Sequence, residues 1–220
     1  MYMSKLNTLL LKIKLFSHIK NVNMFFSQTG EDILINGLVQ NKSNGFYVDV
    51  GAYDPIRFSN TYGFHIKGWT GINIDANPES IKKFNKARPN DTNINVGISD
   101  VPDTLVYYKF KEGAFNTFSR KLADSYESLY TMQPIKVERL DLLLDKHLPK
   151  NQHIDLMNVD TEGFDLKVLK SNNWNKYRPR IIAVEFSEND NSIEKFLKHN
   201  GYIPKCNTIL TKMFVDGTVE

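Results

Sequence analysis

The chain holds a single cysteine, Cys206, among 220 residues. That excludes an intrachain disulfide framework and any CxxC zinc or redox site. Long apolar runs are missing as well. The most apolar N-terminal stretch, Leu9-Leu10-Leu11, is cut by Lys12 and Lys14, far short of the about 20 residues a spanning helix needs. The same lysines break the apolar centre that a secretion signal requires, and no small-residue cleavage site follows. A soluble, cytoplasmic protein is therefore expected, and the glycosylation patterns at Asn41-Lys42-Ser43 and Asn90-Asp91-Thr92 read as chance. Charge of one sign is also lacking: 28 basic residues against 25 acidic ones give +3. That is too balanced for the clustered basic footprint of a nucleic-acid binder. No GxGxxG occurs, so the close pyrophosphate approach of a dinucleotide site is not specified. What is present is 41% hydrophobic, 12% aromatic and 24% charged residues, the composition of a folded chain. At this length one domain buries about 70% of its surface without a staple.

Residues 4–20 place Leu6, Leu9, Leu10, Ile13, Phe16 and Ile19 at helical spacing with lysines between them. Segment 1–25 reads as an amphipathic helix ahead of one domain over 26–220. Its apolar face suits packing on the domain or on a second copy in a homo-oligomer. With Lys5, Lys12, Lys14 and Lys20 it equally suits a peripheral contact with a membrane surface. From residue 46 short apolar runs alternate with helical periods. Strands are expected at 46–50, 71–75, 93–98, 154–159 and 180–185, and a closing hairpin from 202–203 and 212–215. Between them, Asn77-Pro78-Glu79 opens a helix with an N-cap, a proline and a first-turn acid. Asn200-Gly201 ends a later one. Strand–helix alternation implies an α/β fold, a doubly wound and mostly parallel sheet. Residues 101–133 break the rhythm and read as an insertion at the ligand edge, a binding segment or lid.

In such a sheet ligands sit outside the carboxyl ends of the strands, so the strand ends carry the candidates. Asp49-x-Gly51-Ala52-x-Asp54 follows the first strand, with a glycine that lets backbone approach a ligand. Asp75 ends the second, where a carboxylate accepts both hydroxyls of a ribose; Asn77 beside it serves as the helix cap. Ser99 and Asp100 end the third, in place to meet an adenine amino group. Taken singly these are ordinary loop residues. In this order, without pyrophosphate glycines, they suit a nucleoside carrying an amino acid tail, S-adenosylmethionine. Asp160, with Thr161, Glu162 and Gly163, ends the fourth strand, and Glu185 the fifth. Glu162 is open to two readings: a helix N-terminal acid, favoured by the dipole, or a group beside the reacting atom.

Ser27-Gln28-Thr29-Gly30-Glu31-Asp32, Gly45-Phe46-Tyr47-Val48-Asp49-Val50-Gly51-Ala52, Ser59-Asn60-Thr61, Gly68-Trp69-Thr70-Gly71-Ile72-Asn73-Ile74-Asp75-Ala76-Asn77-Pro78, Asp155-Leu156-Met157-Asn158-Val159-Asp160-Thr161-Glu162-Gly163 and Val168-Leu169-Lys170-Ser171 through Arg178-Pro179 resemble the FkbM-type methyltransferases. This is a class I, S-adenosylmethionine-dependent family, and the likeness spans about residues 26–215. The resemblance implies a Rossmann-like seven-stranded sheet with its last strand reversed. It also implies O-methylation, often of sugars on polysaccharides, glycolipids or glycosylated natural products, hence a carbohydrate or glycoside acceptor. The chain departs from the pattern in having Asp75 where many relatives have Glu, and Asn158 where many have Lys. The segment before residue 26 has no counterpart in it.

A sugar hydroxyl is a poor nucleophile at neutral pH, so a base or a metal should assist it. Asp160, Glu162 and Glu185 are the candidate bases, and together they offer the oxygen ligands Mg²⁺ prefers. His65, His147 and His153 are alternative bases, though solvated or capping roles explain each of them. Two other readings stand beside this one: a non-catalytic or scaffold member of the same fold, and an enzyme acting on a lipid, small-metabolite or protein acceptor. The aromatics of the insertion, Tyr107, Tyr108, Phe110, Phe115 and Phe118, suit stacking on a sugar ring or packing on one another.

Overall fold

A computed structural model describes residues 24–187 and 190–218; the helix expected over 4–20 lies outside them. In chain order the elements are α1 (Glu31–Leu38), β1 (Phe46–Val50), α2 (Tyr62–His65), β2 (Thr70–Asp75), α3 (Pro78–Ala87), β3 (Thr92–Asn95) and β4 (Gly97–Ile98). They continue with β5 (Asp103–Phe110), α4 (Arg120–Ser125), β6 (Tyr130–Glu138), α5 (Leu140–His147), β7 (Leu156–Val159), α6 (Asp165–Lys170), β8 (Ile181–Glu185), α7 (Ser192–His199), β9 (Tyr202–Asn207) and β10 (Thr211–Asp216). Among the described residues no helix is long and apolar enough to cross a membrane.

Seven strands form one sheet in the order β3-β2-β1-β7-β8-β10-β9. Pairing is parallel from β3 through β8, and β10 runs antiparallel to both of its neighbours. This is the expected α/β sheet with a reversed last strand. The reversal follows from chain length. Three residues separate β9 from β10, enough for a hairpin and too few for the crossover a parallel pair needs.

Alternation along the strands sorts the two faces. Val48, Val50, Ile72, Ile74, Met157, Val159, Ile182 and Val184 turn to one face, where Leu140, Leu143, Leu144, Val168, Leu169 and Leu197 cover them. Tyr47, Leu156, Ile181 and Ala183 turn to the other, under Ile35, Val39, Phe64 and Trp69. Each fully buried aliphatic or aromatic side chain contributes about 1.5–3 kcal/mol. On the second face, however, the next positions along are polar and buried: Asp49 after Tyr47, Asn158 after Leu156, and Asn73 before Asp75. The sheet therefore turns from apolar to polar toward its carboxyl ends.

Two expected elements differ. The strand expected over 93–98 divides at Val96, whose N–H donates to the Asp75 carbonyl. β3 stays in the main sheet, while β4 leaves it to pair with β6. The insertion is a long antiparallel hairpin of β5 and β6, closed by α4, rather than a loop. Its helix ends at Ser125, and Tyr130 begins β6.

Candidate active site

A cleft at the carboxyl ends of β1, β2 and β7 encloses about 880 Å³, its open mouth included. At its base Gly51 has φ +81°, and a Cβ there would stand 1.7 Å from the Asp160 carbonyl oxygen. Only glycine lets β1 leave the sheet so close to the β7 loop. The freed backbone is held by the Gly51 and Ala52 N–H groups, both donating to the Ile74 carbonyl.

Asp75 ends β2 at the cleft wall. Its Oδ2 accepts the Tyr53 N–H at 2.8 Å and its Oδ1 the Asn77 N–H at 2.7 Å. Each oxygen retains a further lone pair for a ligand. Burial pushes this carboxyl up to about 6 against the pull of those two donors. Asp49 is held differently, by side chains: the Thr61 hydroxyl donates to Oδ2 at 2.6 Å, and Asn158 Nδ2 to Oδ1 at 2.9 Å. Burial raises its carboxyl too. Behind Thr61 lies Arg88, with none of its surface exposed. Arg88 Nη1 donates to Thr61 Oγ1 at 2.8 Å and Nη2 to Ser59 Oγ at 2.9 Å, and Nη2 also meets the Pro55 carbonyl. The guanidinium thus pins the 55–61 loop against β1.

After β7 the chain turns sharply. Glu162 and Gly163 both take positive φ, 51° and 86°. For a glutamate this is a strained conformation of a kind that gathers at functional sites. Asp165 fixes the turn, accepting the Thr161 N–H at 2.8 Å, the Thr161 hydroxyl at 3.0 Å and the Gly163 N–H at 3.2 Å. The first-turn acid of α6 is therefore Asp165, and Glu162 is free of that duty. The insertion grips the same turn: the Thr117 hydroxyl donates to the Glu162 carbonyl at 2.6 Å and the Tyr126 hydroxyl to Glu162 Oε2 at 2.7 Å.

Asp160, Glu162 and Glu185 each bring a carboxylate oxygen within 4.8 Å of the other two. Burial, then repulsion from Glu162, holds the Asp160 carboxyl well above its usual range. Burial and then Asp160 push Glu185 up to about 10, and burial raises Glu162. Such a group accepts protons readily and would be relieved by a cation.

The far wall is aromatic. Alternation along β5 sends Tyr107 to the cleft with Phe118, ring centroids 4.8 Å apart. Tyr108 and Phe110 pack on the opposite face with Ala123, Tyr126 and Tyr130. Phe115 packs on Tyr126, 5.0 Å between centroids. Strand parity thus divides the aromatics of β5 between the cleft and the hairpin's own packing.

Of the residues singled out from sequence, Asp49, Gly51, Ala52, Asp75, Asp160 and Glu162 line the cleft. Five other strand-end residues are not among its walls. Asp54 accepts the Ile56 and Arg57 N–H groups and pairs with Lys83 at 2.8 Å, tying its loop to α3. Asn77 caps α3 through the Glu79 N–H. Ser99 donates its N–H to the Glu138 carbonyl and its hydroxyl lies 3.2 Å from Asp100, whose carbonyl accepts from Arg139. The division at Val96 carries Ser99 and Asp100 away, and Val96, Gly97 and Ile98 line the cleft instead. Glu185 ends β8, a carboxylate oxygen within 4.8 Å of those of Asp160 and Glu162. His65 sits 3.8 Å from Asp91, and neither it nor His147 nor His153 lines the cleft. Gln28, Asn60 and Asn116 line it without having been singled out as site residues. Their one sequence signal was Ser59-Asn60-Thr61 and Gln28 falling in the segments of the family resemblance.

Counting only the strands of the large sheet, the order is 3-2-1-4-5-7-6 with the seventh reversed. A glycine turn follows the first strand and acids stand at the tips, the Rossmann-like architecture that the resemblance implied. Residues 49–204 match the family model of the methyltransferase FkbM domain. The chain belongs to the FkbM methyltransferase family. Among solved structures it is similar to the methyltransferase FkbM from Methylobacillus flagellatus KT, at 12% identity and a TM-score of 0.49. That likeness covers 79% of this chain and 44% of the other, so the chain spans less than half of that protein's length. No curated protein matches the chain.

Proposed function

We propose that the chain is an S-adenosylmethionine-dependent O-methyltransferase whose acceptor is a sugar hydroxyl in a glycan or glycoside. Asp75 carries the reading. A carboxylate at the second strand tip, anchored through both oxygens by backbone N–H groups and facing a cleft, is suited to the two hydroxyls of a ribose. The other residues fit the same ligand. Gly51 leaves room where a Cβ would collide with backbone. Val96 and Ile98 offer apolar surface to a base, while the acids Asp49 and Asp160 suit a cationic tail and sulfonium. When bound, the cofactor supplies an electrophilic methyl carbon with a good leaving group.

The remaining work is positioning, which removes about 7–11 kcal/mol when reactants are well oriented. Tyr107 and Phe118 present flat apolar surface to a sugar ring and exclude water from the cleft. Glu162, its raised carboxylate oriented by Tyr126, accepts the proton of the acceptor hydroxyl. Asp160, Glu162 and Glu185 are also the set that would hold Mg²⁺. The metal would lower the acceptor hydroxyl's pKa.

The test is transfer of labelled methyl from S-adenosylmethionine by the full chain to glycan, lipid, small-metabolite and protein fractions. Label is expected in glycan and released by glycosidase. Label confined to another fraction replaces the acceptor. Binding of S-adenosylhomocysteine with no transfer to any fraction favours a non-catalytic member, and no binding by folded protein ends the cofactor reading. Loss of transfer in chelator, restored by Mg²⁺, would assign the metal.

A further inference from the structure

Asn60, in the loop between β1 and α2, is 6% exposed and lines the cleft. Its Nδ2 donates to Asn158 Oδ1 at 2.9 Å, and Asn158 Nδ2 donates onward to Asp49 Oδ1 at 2.9 Å. The chain of bonds runs one way for a chemical reason. A carboxylate only accepts, so Asn158 must turn its amino group to Asp49 and its oxygen to Asn60. Asn60 must then spend its amino group on Asn158. Its Oδ1 is left buried with no donor. Buried polar atoms nearly always have a partner, and this one belongs to a residue of the cleft wall.

Its position says which partner. Asp49 pairs in register with Asn158 on one side of β1, and β2, ending in Asp75, flanks the other. A ligand whose ribose lies at Asp75 and which crosses the tip of β1 brings its opposite end to Asn158 and Asn60. Asp49 and Asp160 bring acidic side chains to that end of the cleft, and acids as neighbours suit a cationic donor better than a carboxylate. We propose that Asn60 binds the ammonium group of the cofactor's amino acid tail, its Oδ1 accepting one N–H. The assignment rests on the cofactor reading above. Asn158, with its bonds to Asp49 and Asn60, is the positioning residue that turns the Asn60 oxygen toward the ligand.

Calorimetry on the full chain compares S-adenosylhomocysteine with an analogue lacking only the amino group. Wild-type protein is expected to prefer the natural ligand at least tenfold. Asn60→Ala is expected to bring the two within threefold by weakening S-adenosylhomocysteine while leaving the analogue's affinity unchanged. Should Asn60→Ala fold poorly, Asn60→Ser keeps a small polar side chain in the loop, draws its oxygen back from the ligand, and is read by the same ratio. Equal losses for both ligands in a folded variant, or a wild type that does not distinguish them, overturn the assignment of Asn60 alone. Wild-type protein that binds neither ligand overturns the cofactor reading and this inference with it.

Discussion

Asp49 and Asp75, at the tips of β1 and β2, are carboxylates whose donors are already in place. Asp160, Glu162 and Glu185, at the tips of β7 and β8, face chiefly one another. Two side chains hold Asp49 and two backbone N–H groups hold Asp75. Fully buried Arg88 stands behind the first of them, bonded to Thr61, Ser59, Tyr47 and Pro55. In the other cluster Tyr126 donates to Glu162, while burial and mutual repulsion push the carboxyls upward. Buried charge is stable only where it is paired. In the first region the chain itself finishes both carboxylates, leaving Asn60 Oδ1 and Arg88 Nε without partners among the described residues, and presents fixed acceptors. The second is stable with protons on it, or with a positive ligand in front of it. Under the proposed function these are a binding half and a reacting half, side by side on one sheet.

Breaking the finished half should have the largest effect. Arg88→Met removes a buried guanidinium and strips donors from Thr61, Ser59 and the Pro55 carbonyl. A loss of about 3–5 kcal/mol is expected, read as a shift in the urea midpoint. An unchanged midpoint would mean the network does not hold the loop.

Asp75→Ala should leave the fold intact and weaken S-adenosylhomocysteine by about 1.5–3 kcal/mol, the usual worth of hydrogen bonds to a charged group. Wild-type affinity should also fall as pH drops below about 6, where the Asp75 carboxyl takes up its proton and loses an acceptor. The variant should lose that part of the pH dependence. Titration calorimetry from pH 5 to pH 8 reads both.

Glu185→Gln probes the unfinished half and should act in the opposite direction. A carboxyl raised from 4.5 to about 10 binds its proton more tightly in the folded state. The stability it lends is therefore complete below about 4.5 and is lost as pH rises toward 10. Glutamine ionises in neither state. Without ligand, the variant should match wild type near pH 4.5 and exceed it by about 1–2 kcal/mol at pH 8. Equal stability at both pH values would mean that neither burial nor its acidic neighbours raise the Glu185 carboxyl.

Much of this arrangement is legible in the chain. The runs at 46–50, 71–75 and 181–185 are apolar enough to be buried strands, and Asn77-Pro78 opens α3 as expected. Acids placed directly after apolar strands fall at the carboxyl edge whatever the details of packing. Other features depend on partners far along the chain. Nothing local divides 93–98; the break at Val96 comes from the Asp75 carbonyl and from β6, which draws Gly97 and Ile98 into a second sheet. The same displacement separates Ser99 and Asp100 from the cleft. Asn60 and Asn158 meet across 98 residues, and Arg88 reaches Thr61 across 27. No periodicity encodes such contacts.

By itself, then, the order of residues determined the layers and the side on which the chemistry lies. Periodicity of two or 3.6 specifies which side chains are buried, and a turn after a buried strand specifies where acids emerge. Only the folded chain decided which carboxylates are satisfied and which still wait for a partner. That depends on donors a few ångströms away in space and many residues away in sequence, so it is a property of packing rather than of any segment.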